Sequence, residues 1–271
     1  MENKFKFGVI GAGFMSSAIV NGAIGSGFLA PDNVIVSDIS NSALEKFAKL
    51  GVVTTTDNSE VFNNAEFTLL AVKPQHFKDA VKDLYNPTCH KIISIMAGVK
   101  KSTVKSAFNG TKVQVVRCMP NTPCSVGYGA IGVDLSDFTA ESDKKFVSAL
   151  LSSFAKLVFV DESKLNAVTG ISGSSPAYFY LFIKCLIEAG IKQGLSYDDA
   201  KTLAVNTMIG SGKMIFANSD KSLDELINAV CSKGGTTIEA VNAFNAGNLA
   251  DITDKAVSAC VNRAKELEEL Q

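Results

Sequence analysis

The chain has 271 residues, 46% of them hydrophobic and 20% charged, which describes one large or two ordinary domains around a sizeable core. A net charge of -1, five tyrosines, no tryptophan and no Lys/Arg stripe leave little with which to neutralise phosphates or stack bases, so nucleic acid is not an expected partner. No apolar run approaches the roughly 18 to 20 residues of a membrane span, and the start "MENKFKFGVIGAG" holds no signal-peptide h-region, so a soluble cytoplasmic protein with no membrane partner is expected.

Along the first 160 residues six short runs rich in Val and Ile, "FKFGVI", "NVIVSD", "FTLLAVK", "KIISIMAG", "VQVVRCMP" and "LVFVDE", alternate with helical patterns. This rhythm predicts βαβ units and a mostly parallel, doubly wound α/β sheet. Between the second and third runs, Ser42 and Glu45 have capping-box spacing and open a helix that Gly51 can end.

From about Leu165 the β-rich runs stop. Tyr178, Leu181, Phe182, Cys185, Leu186 and Ala189 recur on one helical face. Ser196 with Asp199, and Ser222 with Glu225, place helices near 197–217 and 223–231, and a last charged helix is expected near 250–270. The second half therefore reads as all-helical, with the boundary placed by this change of period between 1–163 and 164–271.

Six cysteines, Cys89, Cys118, Cys124, Cys185, Cys231 and Cys260, contain no C-x-x-C, and two histidines cannot complete a Cys/His zinc set. No metal is expected. The thiols are expected to be buried in a reducing compartment.

In "VIGAGFMSSAI" Gly11 and Gly13 lie directly after the first strand and before a helix, the context in which G-x-G-x-x-G acquires meaning. Gly11 permits the tight turn, Gly13 lets a pyrophosphate approach, and the helix N-terminus offers free N–H groups. Ser16 occupies the third position. A strand-to-helix turn without ligand would also use these glycines; with five further βα-type runs behind them, a dinucleotide is the expected partner.

Asp38 closes the second strand, where a carboxylate accepts hydrogen bonds from an adenine-ribose diol and repels a 2′-phosphate. "SDISNS" has no arginine to bind that phosphate, so the local chemistry leans toward NADH; the same Asp equally starts an Asx-turn or cap. Two later strand ends, "AVKP" with Lys73 and Pro74, and "MAG" from Met96 to Gly98, fall where open α/β sheets bind ligands. In "RCMPNTP" Pro120 and Pro123 bracket Asn121, whose amide is expected to point into the same region.

"GISGSSPAY", Gly170 to Tyr178, carries small residues for close backbone approach, with Pro176 suited to a first helical turn. In "AVCSKGGTTIEAV", Ala229 to Val241, one helix ends at the glycines and another starts at Thr236 or Thr237, with Glu239 completing a capping-box spacing from Thr236. A helix–turn–helix joint explains this much. Gly234, Gly235 and the N–H groups that follow also suit a carboxylate, with the hydroxyls of Ser232 and Thr237 beside them.

Taken together, "GAG", "AVKP", "AGV", "RCMPNTP", "GISGSSPAY" and "KGGTTIEA" resemble, in order and context, the pyrroline-5-carboxylate reductases, and the likeness covers nearly the whole chain. The resemblance implies a Rossmann-like dinucleotide-binding domain followed by a helical dimerisation and substrate domain, in a homodimer or a ring of dimers. It implies that Ile10, Gly11, Ala12, Gly13, Phe14, Met15, Asp38, Asn58, Ala71, Val72, Lys73, Pro74, Ile95, Met96 and Ala97 contact NADP or NAD. Ser232, Gly234, Gly235, Thr236 and Thr237 would hold the substrate's carboxylate and ring nitrogen, with Asp220 nearby. Lys233 and Ser222 depart from the family, which usually or often has proline at these two places.

The implied reaction is hydride transfer from the reduced nicotinamide to the imine carbon of 1-pyrroline-5-carboxylate, giving L-proline. No His, Asp, Glu or Lys in these motifs stands out as a general acid, so catalysis is expected to rest on placement, with Thr237 on the ring nitrogen. A β-hydroxyacid dehydrogenase shares the overall plan, but resembles a class that needs a lysine after its second glycine cluster, and there is none between Leu165 and Ile183. A non-catalytic dinucleotide-binding protein would have no need of "KGGTT".

Overall fold

The computed structural model describes residues 3–85, 90–108 and 111–270. Eight strands, β1 (Phe5–Ile10), β2 (Val34–Ser37), β3 (Val53–Thr55), β4 (Ala65–Leu70), β5 (His90–Ser94), β6 (Val113–Met119), β7 (Gly129–Asp134) and β8 (Ala155–Phe159), form one sheet in the order β3-β2-β1-β4-β5-β6-β7-β8. Every pair is parallel except β6 with β7. The six expected runs are all strands; β3 and β7 are additions.

Alternation along a strand sends side chains to two cores, one on each face of the sheet. Val34 and Val36 join Phe7, Phe67, Val116 and Leu150 in the first, while Ile35 joins Ile10, Leu70, Phe62 and Val115 in the second. Burial on both faces is what makes such strands read as unbroken apolar runs.

β1 lies between β2 and β4, so the chain leaves it in one direction and returns on the other. This is the reversal of strand order at which open α/β sheets form a crevice. Register brings the strand ends level there: Ile10 pairs with Ser37 of β2 and with Leu70 of β4, so Gly11, Asp38 and Ala71 emerge side by side.

Backbone contacts divide the chain into two compact units, Met1–Pro176 with Cys260–Gln271, and Ala177–Ala259. The second unit is helical, holding Tyr197–Ala217, Leu223–Val230, Thr236–Ala246 and most of Ser175–Lys192. Ser196 accepts from the Asp199 N–H, and Ser222 with Glu225 forms a complete capping box. The last helix runs Leu249–Glu269.

Two caps differ from expectation. The early helix is Asn41–Ala48, and Ser40 caps it by accepting from the Ala43 N–H, while the Ser42 hydroxyl pairs with that of Ser40 at 2.9 Å. Asp38 fixes this start two residues early by accepting the Ser40 N–H. The helix Thr236–Ala246 has Gly235 at its N-cap, not Thr236, with no side-chain cap.

The thiols also differ. Cys118 and Cys124 are buried, and burial raises the pKa of both thiols, but Cys185 is exposed and Cys231 and Cys260 are half-buried. Cys185 and Cys231 belong to the helical unit, whose apolar faces are bare. Cys89 lies outside the described residues.

Candidate active site

The glycine loop starts where Gly11 donates to the Ser37 carbonyl at 2.8 Å, with φ at +105°, a conformation L side chains rarely adopt. A Cβ there would also meet the Ala71 carbonyl oxygen at 2.8 Å, so turn and close strand approach both require glycine. Gly13 is different. A Cβ on it would find no atom within 4 Å, so its missing side chain leaves open space. It is also the N-cap of the helix Phe14–Gly25, which no side chain caps.

Open space beside free N–H groups at a helix start is what a pyrophosphate requires, and a dinucleotide fits the residues present. The surrounding cavity, about 500 Å³, is lined by Ile10, Gly11, Gly13, Asp38, Ile39, Asn58, Ala71, Val72, Lys73, His76, Asp79 and Ala80. Eight of the residues singled out from the sequence thus share one wall.

Two of them are tied in place. Asp38 accepts the Ala12 N–H at 2.7 Å through one oxygen and the Ser40 N–H at 2.9 Å through the other. It is an Asx-turn residue and a cavity residue at once. Asn58 accepts from the Ser37 hydroxyl at 2.7 Å and donates to the Ala80 carbonyl at 3.0 Å, so its amide shapes the wall.

Other residues stand apart from that wall. Ala12 lies in the glycine loop, Phe14 and Met15 open the helix that follows it, Pro74 starts the helical turn after Lys73, and Met96, between Ile95 and Ala97, is buried in the second core. Asn121 is placed elsewhere: its oxygen accepts the Ala130 N–H at 3.0 Å and its nitrogen donates to the Ser172 hydroxyl at 3.1 Å. It bolts "RCMPNTP" to "GISGSSPAY". A Cβ on Gly173 would meet Met119 Cε at 2.6 Å, so the second glycine cluster serves close packing here.

In the helical unit Ser232, Gly234, Gly235, Thr236 and Thr237 form a loop and the first turn of Thr236–Ala246. Gly234 has φ at +70°, and Gly235 donates to the Ser232 carbonyl at 2.9 Å, leaving no room for a Cβ against Ser232 Oγ. The helix start thus presents uncapped N–H groups beside hydroxyls, suited to a carboxylate without any metal. Asp220 is exposed in the turn before Leu223–Val230.

A family model described as pyrroline-5-carboxylate reductase dimerisation matches residues 162–267, and one described as NADP oxidoreductase, coenzyme F420-dependent, matches 6–98. The pyrroline-5-carboxylate reductase of Vibrio alginolyticus is 37% identical over the whole of both chains, and that of Methanosarcina acetivorans 36% identical over 98% of this chain and 99% of the relative.

The chain belongs to the pyrroline-5-carboxylate reductase family.

Among solved structures, the Coxiella burnetii pyrroline-5-carboxylate reductase superposes with a TM-score of 0.89 at 34% identity, covering 98% of this chain and 99% of that one. The Plasmodium falciparum pyrroline carboxylate reductase, solved with NADP bound, gives 0.83 at 26% identity over 99% and 100%. The fold is accordingly the Rossmann-like and helical pair of this family.

Four wall residues of this reductase, Ile39, His76, Asp79 and Ala80, are not among those that the sequence motifs mark. Ile39 is beside Asp38 and 94% exposed at the mouth of the cavity. The other three follow Pro74 in "PQHFKDA", a stretch with no motif signal; only the turn at Pro74 points to it.

Proposed function

We propose that this protein is a pyrroline-5-carboxylate reductase that converts 1-pyrroline-5-carboxylate to L-proline, the last step of proline biosynthesis, with NADPH or NADH. The full-length likeness to enzymes of that name carries the reading. The glycine-loop cavity and the uncapped "KGGTT" helix start supply the two kinds of site such a reaction needs. Residues 1–163 bind the dinucleotide, and 164–271 form the helical dimerisation and substrate domain of a cytoplasmic homodimer or ring of dimers.

The reduced nicotinamide, when bound, supplies the hydride. Gly13 and the N–H groups after it hold the pyrophosphate, while Asp38, Val72 and Lys73 border the adenosine end. In the helical unit the N–H groups of Thr236 and Thr237, at the uncapped helix start, and the Ser232 hydroxyl take the substrate carboxylate, and Thr237 Oγ1 bonds the ring nitrogen. Orientation of this kind can contribute several kcal/mol, up to roughly 7 to 11, without a dedicated acid.

Initial rates with pyrroline-5-carboxylate and with piperideine-6-carboxylate, each with NADH and NADPH, test the proposal. Faster turnover of the five-membered imine is expected. No turnover of either imine with either nucleotide would overturn it.

A further inference from the structure

We propose that Asp38 makes this enzyme select NADH over NADPH, by fixing a carboxylate where the adenine ribose must lie. The inference rests on the cofactor reading above and deepens it.

Asp38 stands at the end of β2, level with the glycine loop, and forms part of the cavity wall. Both its oxygens are held by backbone N–H groups, Ala12 at 2.7 Å and Ser40 at 2.9 Å. Swinging away from a ligand would forfeit two charge-assisted hydrogen bonds. It would also free the middle residue of the Gly-Ala-Gly turn from its tether. The carboxylate is therefore a fixed acceptor, with further lone pairs open to a ribose hydroxyl.

A 2′-hydroxyl can donate to it. A 2′-phosphate cannot, because it only accepts and carries negative charge of its own.

The neighbouring groups do not rescue the phosphate. Ser37 Oγ donates to Asn58, and Asn58 donates to the Ala80 carbonyl, while the Ser40 and Ser42 hydroxyls pair with each other at 2.9 Å and Ser40 Oγ accepts the Ala43 N–H, so the hydroxyl and amide side chains around Asp38 already have partners. The cavity wall carries Asp38 and Asp79 against one ammonium, Lys73, with His76 beside them. Lys46, on the helix after β2, is engaged with the Gly13 carbonyl at 3.2 Å. Like charges separated by a few ångströms in a partly screened cavity disfavour NADPH by about ten-fold or more.

Calorimetric titration of the full-length protein with NADH and NADPH tests this, together with competition by adenosine 5′-monophosphate and adenosine 2′,5′-bisphosphate. The wild type should bind NADH and the monophosphate more tightly, by about ten-fold, with the gap narrowing at high salt. Asp38→Ser and Asp38→Asn should each move the NADPH-to-NADH affinity ratio about ten-fold or more toward NADPH. The ratio within one protein cancels any loosening of the glycine loop common to both nucleotides. Equal or tighter NADPH binding by the wild type, or a ratio unmoved in both variants, overturns the proposal while leaving the cofactor site intact. Binding of neither nucleotide would instead overturn the cofactor reading, and the proposal with it.

Discussion

In the sheet-bearing unit Phe7, Phe67 and Val116 have no exposed surface, whereas in the helical unit Phe179, Leu181, Leu203, Met214 and Phe216 are each more than half exposed. Among the described residues of 177–259, only Ile187 and Ala200 are buried. The first unit closes two cores over the faces of its sheet; the second has amphipathic helices and almost no interior. Apolar faces of this extent on one chain are a surface for another copy, and the dimerisation model matches this part of the sequence. One unit is thus stable by its own packing, and the other by association, whose strength depends on protein concentration.

The largest expected effect tests the self-sufficient unit. Phe67 is fully buried, stacks on Phe146 at 4.4 Å and leans on Phe138 at 6.2 Å. Phe67→Ala should cost about 3 to 5 kcal/mol in urea unfolding. That loss should be the same at low and high protein concentration. A loss that disappears at high concentration would place this core, too, under the control of association.

The helical unit should answer differently. Leu181→Asp puts a charge on a bare apolar face, and sedimentation should show association weakened by about 100-fold or more, roughly 3 kcal/mol, with helical circular dichroism retained. The wild-type unfolding midpoint should rise with concentration. An unchanged oligomer in Leu181→Asp would remove that face from the interface and narrow the contrast between the units.

The contrast also explains which parts of the fold are legible in the sequence. Six of eight strands can be read because burial on both faces demands unbroken apolar runs. β7, "GAIGVD", is masked by its glycines, which packing requires: a Cβ on Gly129 would collide with Cys124 Sγ, and one on Gly132 would meet Val168 Cγ1 at 2.7 Å. β3 is three residues of "VTT", partly exposed, with too little apolar surface to signal a strand. In the helical unit, periodicity and caps place the helices well, because the bare faces still repeat as a buried face does. The glycine loop and the "KGGTT" turn are visible because backbone chemistry there leaves a residue signature. The wall at His76 and Asp79 leaves none, since it is created by where a turn brings ordinary residues.

A third test belongs to the sheet alone. His90, at the start of β5, is buried against Phe62, with its Nε2 2.8 Å from Thr68 Oγ1. Burial, helped by the charge on Lys91, pulls its pKa down from 6.5 to about 4. Between those values the unfolded chain holds a proton that the folded chain does not, so folding stability is lost as pH falls from about 6.5 toward 4. The loss should approach about 3 kcal/mol near pH 4. His90→Asn should flatten that stretch of the pH profile, measured at fixed protein concentration so that association does not contribute. An unaltered slope in the variant would assign the acid sensitivity to other groups.

The smallest expected effect sharpens the contrast from the other side, with a residue of the helical unit whose loss should change rate but not stability. Thr237 is half-buried in the first turn after Gly235, and no side chain caps that helix. Its hydroxyl therefore has no capping duty to lose, and Thr237→Ala should stay within about 0.5 kcal/mol of wild type. If the hydroxyl bonds the imine nitrogen, a bond that strengthens as the transition state forms, kcat/KM should fall about ten-fold or more, or roughly 1 to 2 kcal/mol. Thr237→Ser restores the hydroxyl and should keep most of the activity. Because a threonine methyl is lost in both variants, their difference isolates the oxygen. Near-native kcat/KM in Thr237→Ala would leave the backbone N–H groups of the glycine turn to hold the substrate without it.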